Sequence, residues 1–385
     1  MDRHHVIIIG AGIVGVACAH QLSQRGSRVS LIEAGPGPGV QGATAAGMGH
    51  IVVNDGDPDL LKLCLRGREL WRQLLEENVG DRGYWNTGTL WLAEDDEQLH
   101  NLEGAQGRLQ VSGVESHTVH AQELFELEPA LNRDLAGGLQ IPHDGVVYAP
   151  RVTSQLLAQS PQVETRFGKR VVLVGDGEIT LEDGTDLKAD AIILASGVSL
   201  LDVLDVDHDS SWKQFLKILP REGHLAITAR GTGILGHHVV EAGYQKGAHQ
   251  VDEEAIACAI LPRPTDQLCL GSSRRPGLAG PVDQKVLQKV IDRCERFVPG
   301  VRRLPILRSW TGARAATRDG KPLIGPVPGL NRTWLVGGFE GLGITQAPAA
   351  AELLAQRILA ETCTLDAGPW DPGRVPVLST GGHDD

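Results

Sequence analysis

The first forty residues constrain the fold most, because they combine a strand, a glycine-rich turn, a helix and a second strand. Residues 6–9 are apolar and β-branched, which is typical of a strand buried on both faces. Gly10, Gly12 and Gly15 follow in the pattern G-x-G-x-x-G, and "RVSLIEA" begins two residues after Gly26. This order predicts a dinucleotide-binding β–α–β unit.

Each glycine of this motif has its own physical role. Gly10 permits the tight turn, Gly12 lets the backbone approach a pyrophosphate, and Gly15 lets the helix pack closely on the strand. Glu33 closes the second strand 18 residues after Gly15. A carboxylate there can accept hydrogen bonds from both ribose hydroxyls of an adenosine. The motif alone does not separate FAD from NAD.

Composition excludes several classes of partner. The 385 residues suggest about two domains. The net charge of −12 argues against nucleic acid and anionic membrane surfaces. The six cysteines form no C-x-x-C pair, no histidine and carboxylate set has metal spacing, and no apolar run is long enough to span a membrane. We therefore expect a cytoplasmic protein with reduced thiols, no metal, no nucleic acid partner and no membrane span.

The segment "GATAAGMGHIVV", residues 42–53, favours FAD over NAD. Its tiny residues let backbone amides press on a large flat ring system, where a nicotinamide dehydrogenase would usually start another β–α unit. The segment resembles the D-amino acid oxidase (DAO) family of FAD-dependent oxidoreductases, in particular its glycine oxidase and D-hydroxyproline dehydrogenase-like branch. The resemblance implies that Ala45, Ala46, Gly47 and Met48 lie along the flavin. It also places Thr44 near the pyrophosphate or ribityl chain and His50 near the ring or the substrate.

Two later segments extend the resemblance over nearly the whole chain. "GKRVVLVGDGEITLEDGTDLKADAIILASGVSL" is similar to the family's β-meander followed by a strand of the parallel sheet. "WLVGGFEGLGITQAPAAAELLAQRIL" is similar to its closing strand, turn and helix, whose N-terminus would face the flavin. The alternative for this last segment is an ordinary helix capped by Thr345. The predicted FAD-contacting residues are Gly10, Gly12, Ile13, Val14, Gly15, Glu33, Ala34, Thr44, Ala45, Ala46, Gly47, Met48, Val171, Ala195, Ser196, Gly197, Gly341, Leu342, Gly343, Ile344 and Thr345.

The resemblance also implies the domain organisation. The expected fold is α/β: a Rossmann-like FAD-binding domain of the glutathione reductase type, with an inserted antiparallel α+β substrate domain. The FAD-binding domain would comprise residues 1–83, 149–205 and 320–365, and the substrate domain residues 84–148 and 206–319. Residues 366–385, rich in Gly, Pro and Asp, would form a loosely ordered tail. The resemblance places no cysteine for a covalent flavin bond, so we expect non-covalent FAD.

The stretch "SWTGARAATRDGKPLIGP" provides the main substrate-binding candidate. The resemblance implies that its first arginine, Arg314, holds the substrate carboxylate. A guanidinium grips a carboxylate with two parallel hydrogen bonds and stays charged in a dry pocket. The alternative is a structural arginine that satisfies buried carbonyls. Arg318 is expected to pair with Asp319 or to lie at the domain seam, and Ala315 stands where the family usually has proline.

Three further residues are substrate-binding candidates. His50 follows the tiny-residue segment. Tyr244 lies on a predicted strand of the substrate domain, where ordinary packing is the alternative. His224 follows "REG", at a position that in the family varies and lies over the substrate.

The reaction implied is oxidation of a small amino or imino acid of the D-amino acid, D-hydroxyproline, glycine or sarcosine type. A hydride passes from Cα to flavin N5 and leaves an imine, and no dedicated base is required. Two alternatives remain: an FAD-dependent 2-hydroxy-acid dehydrogenase on the same fold, and a non-catalytic FAD-bearing subunit of a larger complex. The expected partner is a small carboxylate-bearing amine substrate, and the electron acceptor is either oxygen or a partner subunit.

Overall fold

The computed structural model describes residues 4–53, 56–76, 83–204, 216–243 and 254–374. In chain order the strands of this part are β1 His5–Ile9, β2 Arg28–Glu33, β3 His50–Ile51, β4 Tyr84–Trp85, β5 Thr89–Ala93, β6 His117–His120, β7 Gly137–Ile141, β8 Gly145–Val147, β9 Glu164–Phe167, β10 Val171–Val174, β11 Glu178–Leu181, β12 Asp186–Lys188, β13 Ala191–Leu194, β14 Leu219–Thr228, β15 His238–Glu241, β16 Ala255–Pro262, β17 Leu268–Pro276, β18 Ile306–Ala316, β19 Leu323–Pro326 and β20 Thr333–Gly337. The α-helices of the same part are α1 Ile13–Gln24, α2 Gly42–Ala46, α3 Pro58–Glu76, α4 Asp96–Val111, α5 Ala121–Leu127, α6 Ala149–Ala158, α7 Gln284–Phe297 and α8 Gly343–Ile358.

A six-stranded sheet in the order β19-β20-β13-β1-β2-β9 contains the N-terminal motif. All its neighbouring strands are parallel except the β19–β20 pair. In β1, Val6 and Ile8 pack with helices α1, α3, α6 and α8, while Ile7 and Ile9 pack on the opposite face. Because both faces are covered, β1 is apolar at every one of these positions.

The opposite face is covered by the antiparallel sheet β10-β11-β12. Val171, Val174 and Ile179 of this sheet pack against Ile7 and Ile9 of β1 in one apolar cluster. The β-meander that the sequence predicts is therefore present, as the third layer beside the parallel sheet.

A second large sheet has eight strands in the order β18-β14-β17-β16-β15-β5-β7-β6. Its pairs are antiparallel except for β15 with β5. Helix α7 packs on one face through Val290, Cys294 and Phe297. Strands β3, β8 and β4 form a separate small sheet. The predicted fold class is confirmed: an α/β unit with parallel strands and a second, largely antiparallel unit.

The strands of the two large sheets fall within the two sets of residues that the sequence assigns to two domains, and the boundaries themselves stay a prediction. The expectation of a loose tail from residue 366 needs correction. Trp370 is 1% exposed and packs into the core beside α8. Arg357 forms an ion pair with Asp371, and Arg374 forms one with Asp319. These contacts fix the segment as far as residue 374.

None of the helices in the described ranges combines the length and apolar character needed to cross a membrane. No group of three or more histidine, cysteine or carboxylate side chains within the same ranges is arranged to hold a metal ion.

Candidate functional site

The glycine-rich turn between β1 and α1 forms the first part of the site. Gly10 has a φ of +104°, a conformation that side chains disfavour. A Cβ at Gly15 would overlap the carbonyl oxygen of Gly10, so the helix start and the turn touch through their backbones. Gly12 is the N-cap residue of α1 and has no side chain to satisfy the free N–H groups there. The turn therefore presents backbone donors and a helix N-terminus, which together suit a phosphate group.

Glu33 and Thr44 lie on either side of this turn. The Glu33 carboxylate accepts hydrogen bonds from the N–H groups of Ala11 and Gly35, at 2.7 and 2.6 Å. Thr44 Oγ1 accepts one from the N–H of Ile13 at 3.0 Å. These bonds hold a carboxylate and a hydroxyl beside the turn.

A cavity of about 410 Å³ extends from this turn to the eight-stranded sheet. It is lined by residues from both large sheets and from the turns that connect them. The predicted FAD-contacting residues that line it are Gly10, Gly12, Ile13, Val14, Glu33, Ala34, Thr44, Ala46, Gly47, Met48, Val171, Ala195, Ser196, Gly197, Gly341, Gly343 and Ile344.

Four of the predicted residues do not line this cavity: Gly15, Ala45, Leu342 and Thr345. Helix α8 begins at Gly343, with Leu342 as its N-cap residue, so Thr345 is not the cap. Thr345 is fully buried; its Oγ1 accepts a hydrogen bond from the N–H of Val52 and donates one to the carbonyl of His50. Thr345 therefore fastens the strand that carries His50 to the helix instead of facing the cavity.

Arg314, the main substrate-binding candidate, lines the cavity from β18. Its Nη1 donates a hydrogen bond to the Ser273 carbonyl at 3.0 Å. Within the described ranges no carboxylate forms an ion pair with it. Arg318, in contrast, is exposed, and Asp319 pairs with Arg374 and not with Arg318. Arg314 therefore brings a cationic side chain with spare donors into the cavity.

Glu340 also lines the cavity, and sequence reasoning missed it. Its carboxylate forms a two-hydrogen-bond pair with Arg274. Burial alone would raise the pKa of Glu340, but the charges of Arg274 and Arg314 outweigh burial and hold this pKa below its usual value. Glu340 is therefore ionised at neutral pH. The only signal in the sequence was an acidic residue inside the glycine-rich turn "GGFEGLG".

His50 lines the cavity and stacks on a second histidine. Its Nε2 donates to the Gly341 carbonyl at 3.1 Å, and its ring lies 5.8 Å from the His238 ring at an interplanar angle of 13°. Burial lowers the pKa of His50, and the charge of Arg314 lowers it further. His238 is 2% exposed, and burial lowers its pKa strongly. Both imidazoles are therefore neutral at neutral pH.

The other two substrate-binding candidates have different outcomes. His224 does not reach the cavity: its neighbours Gly223 and Leu225 line it, so His224 points to the opposite face of β14, where it is 0% exposed. The prediction for His224 is corrected, because alternate residues of a strand face opposite sides. Tyr244 lies outside the described residues.

Glycines of the eight-stranded sheet also line the cavity and were not foreseen. Gly223 of β14 and Gly312 of β18 are direct cross-strand partners. A Cβ at Gly312 would overlap the Ala46 side chain, so α2 packs directly on β18. The sequence shows these residues only as isolated glycines within strand patterns, which indicates a close backbone approach without naming its partner.

The cavity residues fit the predicted cofactor. The backbone donors at the N-terminus of α1 suit a pyrophosphate, and the Glu33 carboxylate suits a ribose. Small residues from α2, the Ala195–Gly197 turn and the turn before α8 leave room for a flat ring.

Comparison with known proteins agrees with this reading. The DAO family model, described as "FAD dependent oxidoreductase", matches residues 5–357. The glycine oxidase of Geobacillus kaustophilus is 24% identical over 383 residues, covering 96% of each chain. The crystal structure of glycine oxidase from that organism gives a TM-score of 0.83 at 24% identity over 97% of this chain and 99% of that chain. The L-proline dehydrogenase of P. horikoshii gives 0.84 at 23% identity over 97% and 98%. At these identities the structural likenesses establish the fold alone.

Proposed function

Because the chain belongs to the DAO family of FAD-dependent oxidoreductases, we propose that it oxidises a small amino or imino acid whose carboxylate is bound by Arg314. One observation carries this proposal. The Arg314 guanidinium lines the same cavity as Gly10, Gly12 and Glu33, and it has no ion-pair partner in the part of the chain that the structure describes. A cation with spare donors beside a flavin site suits a carboxylate substrate.

The residues proposed to hold FAD are those of the cavity. The N-terminus of α1, which begins after the N-cap residue Gly12, would bind the pyrophosphate, and Glu33 would bind the ribose of the adenosine. Val171, Ala195 and the residues of the α2 segment would contact the rest of the molecule. Bound FAD supplies a two-electron acceptor for the reaction. As in the sequence-based prediction, we propose that it is bound non-covalently.

The substrate end has a charge balance that favours one carboxylate. Arg274 and Glu340 neutralise each other, which leaves the Arg314 charge for a ligand. His50 is neutral at neutral pH, and its Nε2–H donates a hydrogen bond to the Gly341 carbonyl. Its Nδ1 is therefore an acceptor that can receive a hydrogen bond from the substrate amine. Two fixed contacts, one at each end of an amino acid, would orient its Cα–H bond.

Several small amines suit this arrangement as substrates. Glycine, sarcosine, D-amino acids and D-hydroxyproline all carry a carboxylate next to an amine-bearing carbon and fit the same contacts. The name of the glycine oxidase relative supports this range. We propose a cytoplasmic location, with oxygen or a partner subunit taking the electrons.

Anaerobic reduction of the purified holoenzyme tests the function. The bleaching of flavin absorbance near ~450 nm would be followed with D-amino acids, glycine, sarcosine, D-hydroxyproline and 2-hydroxy acids. We expect bleaching by an amine, and admission of air then separates an oxidase from a dehydrogenase. Bleaching by hydroxy acids alone would replace the proposal with a 2-hydroxy-acid dehydrogenase. A flavin that no compound bleaches would favour the non-catalytic subunit.

A substitution tests the role of Arg314. In Arg314→Ala we expect KM for the reducing amino acid to rise at least about tenfold, from loss of a charged contact of ~2–5 kcal/mol. Arg318→Ala is the matched control, since this nearby arginine is exposed. An unchanged KM in Arg314→Ala would remove Arg314 from the substrate site.

A further inference from the structure

The Arg314 side chain crosses a neighbouring strand before it reaches its hydrogen-bond partner. It starts on β18 and bonds to Ser273 on β17, and β14 lies between these strands. Its path passes over Gly223, where a Cβ would lie 2.5 Å from Nη1 and 3.0 Å from Cζ of Arg314. Gly223 does not have a positive φ, so the glycine supplies space and not an unusual backbone conformation.

A β-bulge aims the Ser273 carbonyl at Arg314. Glu222 pairs with Arg275 and Ala226 with Leu270, so β17 has one residue more than β14 between these pairs. Ser273 lies in this stretch, and its Oγ accepts a hydrogen bond from the main-chain N–H of His224 at 2.9 Å. The Ser273 hydroxyl thus accepts the hydrogen bond that a main-chain carbonyl would accept in a regular sheet. The main-chain carbonyl of Ser273 accepts the hydrogen bond from Arg314 instead. Bulges commonly redirect groups in this way beside functional sites.

His224 holds the bulge from the other face of β14. Its Nε2 accepts a hydrogen bond from the N–H of Asp283 at 3.1 Å, so the ring hydrogen is on Nδ1. Nδ1 then donates to Ser273 Oγ, 3.0 Å away. Asp283 is the N-cap residue of α7. The imidazole therefore joins the start of α7 to the residue whose carbonyl holds Arg314.

We propose that Gly223, Ser273 and His224 are positioning residues that fix the Arg314 guanidinium in the cavity. The inference rests on the proposed function, in which Arg314 binds the substrate carboxylate. Gly223 provides the path of the side chain, Ser273 its hydrogen-bond partner, and His224 the support of Ser273.

The first test uses the holoenzyme and acetate, a carboxylate without an amine, with binding followed by the change in flavin absorbance. In Gly223→Ala we expect the Kd for acetate to rise about tenfold or more, because Arg314 is displaced from Ser273. Gly107→Ala is the matched control, since a Cβ at this glycine of α4 would meet nothing. FAD content and Tm of each variant show whether it is folded. An unchanged Kd in a folded Gly223→Ala overturns the inference.

A double substitution separates this inference from the proposed function. If Gly223 acts through Arg314, then Gly223→Ala added to Arg314→Ala weakens acetate binding no further. A further loss would mean that Gly223 acts elsewhere and would overturn the inference alone. If wild-type holoenzyme binds no acetate, or if Arg314→Ala leaves the Kd unchanged, the proposed function fails and the inference fails with it.

Two amide variants test His224. The amide of His224→Asn can replace the Nδ1 donor to Ser273, whereas the amide of His224→Gln can replace the Nε2 acceptor facing Asp283. We expect a near wild-type Kd for acetate and KM for the substrate in His224→Asn. His224→Gln should raise both about tenfold, with a smaller change in kcat. Equal effects of the two variants, or the reverse order, would overturn the role of His224 in positioning Arg314.

Discussion

The carboxylate of Glu340 accepts two hydrogen bonds from Arg274, at 2.8 Å from Nε and 2.9 Å from Nη2. The Arg274 side chain is 7% exposed and that of Glu340 is 23% exposed. Glu340 has a φ of 51° in the turn before α8, and Arg274 follows Ser273 on β17. The pair therefore joins the turn before α8 to the eight-stranded sheet and sets the charge beside Arg314.

Replacing Glu340 should change carboxylate binding in a predictable direction. Glu340→Gln removes the negative charge and leaves the charges of two arginines, so we expect tighter binding of acetate by the holoenzyme. We also expect a lower Tm, because Arg274 loses its charged partner. Acetate titration and thermal unfolding measure the two effects.

The opposite change at the same pair is the control. Arg274→Gln leaves the Glu340 charge uncompensated beside Arg314, so acetate should bind more weakly than in the wild type. If both variants shifted the Kd in the same direction, charge would not be the cause and the prediction would be wrong.

Two glycines of the N-terminal motif should differ in what they affect. A Cβ at Gly15 would overlap backbone, whereas one at Gly12 would lie 3.2 Å from the Thr44 hydroxyl oxygen. We therefore expect Gly15→Ala to lower the Tm of the FAD-free protein by several degrees, while Gly12→Ala leaves it nearly unchanged. Gly12→Ala should instead raise the Kd for FAD, measured by flavin fluorescence. Equal losses of Tm in the two variants would contradict this division.

The N-terminal part of the site could be predicted because its interactions are local in sequence. Gly10, Gly15 and Glu33 lie within one β–α–β unit, so spacing alone indicates which groups meet. The substrate end depends on contacts between residues far apart in the sequence, which motif spacing cannot predict. Glu340 and Arg274 are 66 residues apart, and Arg314 and Ser273 are 41 apart.

His224 shows a second limit of the sequence. The face of β14 on which it lies depends on the phase of the strand within the sheet. A shift of one residue exchanges the two faces, and here Gly223 and Leu225 face the cavity. No local sequence pattern predicts the bulge in β17, and Ser273 of this bulge is the residue that the His224 ring contacts.

Asp144 should give the protein a distinctive pH dependence of stability. Its side chain is 0% exposed, and burial raises its pKa to about 6 although the nearby Arg68 charge opposes this. The folded state therefore keeps this proton to higher pH than the unfolded chain, and the free energy of unfolding falls as pH rises. Asparagine does not titrate, so relative to Asp144→Asn the wild type should lose about 1 kcal/mol between pH 5 and pH 7.

Urea unfolding at both pH values measures this difference. The buried histidines titrate in the wild type and in the variant alike, so comparing the two isolates Asp144. Asp134→Asn, at an exposed position, should show no such change with pH. A difference in stability that stays constant from pH 5 to pH 7 would contradict the raised pKa.

Trp370 packs the C-terminal segment into the core. The sequence there is mostly small and polar, and one buried tryptophan outweighs that composition. Trp370→Ala should lower the free energy of unfolding by about 3–5 kcal/mol. Trp370→Phe should cost much less, because the indole N–H has no hydrogen-bond partner within the described residues. Similar small losses in both variants would mean that the segment contributes little to the core.

The residues that line the cavity lie between Ile9 and Ile344 in the sequence. Strand β1, which leads into the glycine turn, pairs with β13, more than 180 residues later in the chain. During synthesis, the glycine turn at the N-terminus leaves the ribosome long before its partners exist. The cavity is complete only when nearly all of the polypeptide has emerged. Loading of FAD therefore follows translation, and the yellow colour of a preparation reports chains that were made almost to the end and folded.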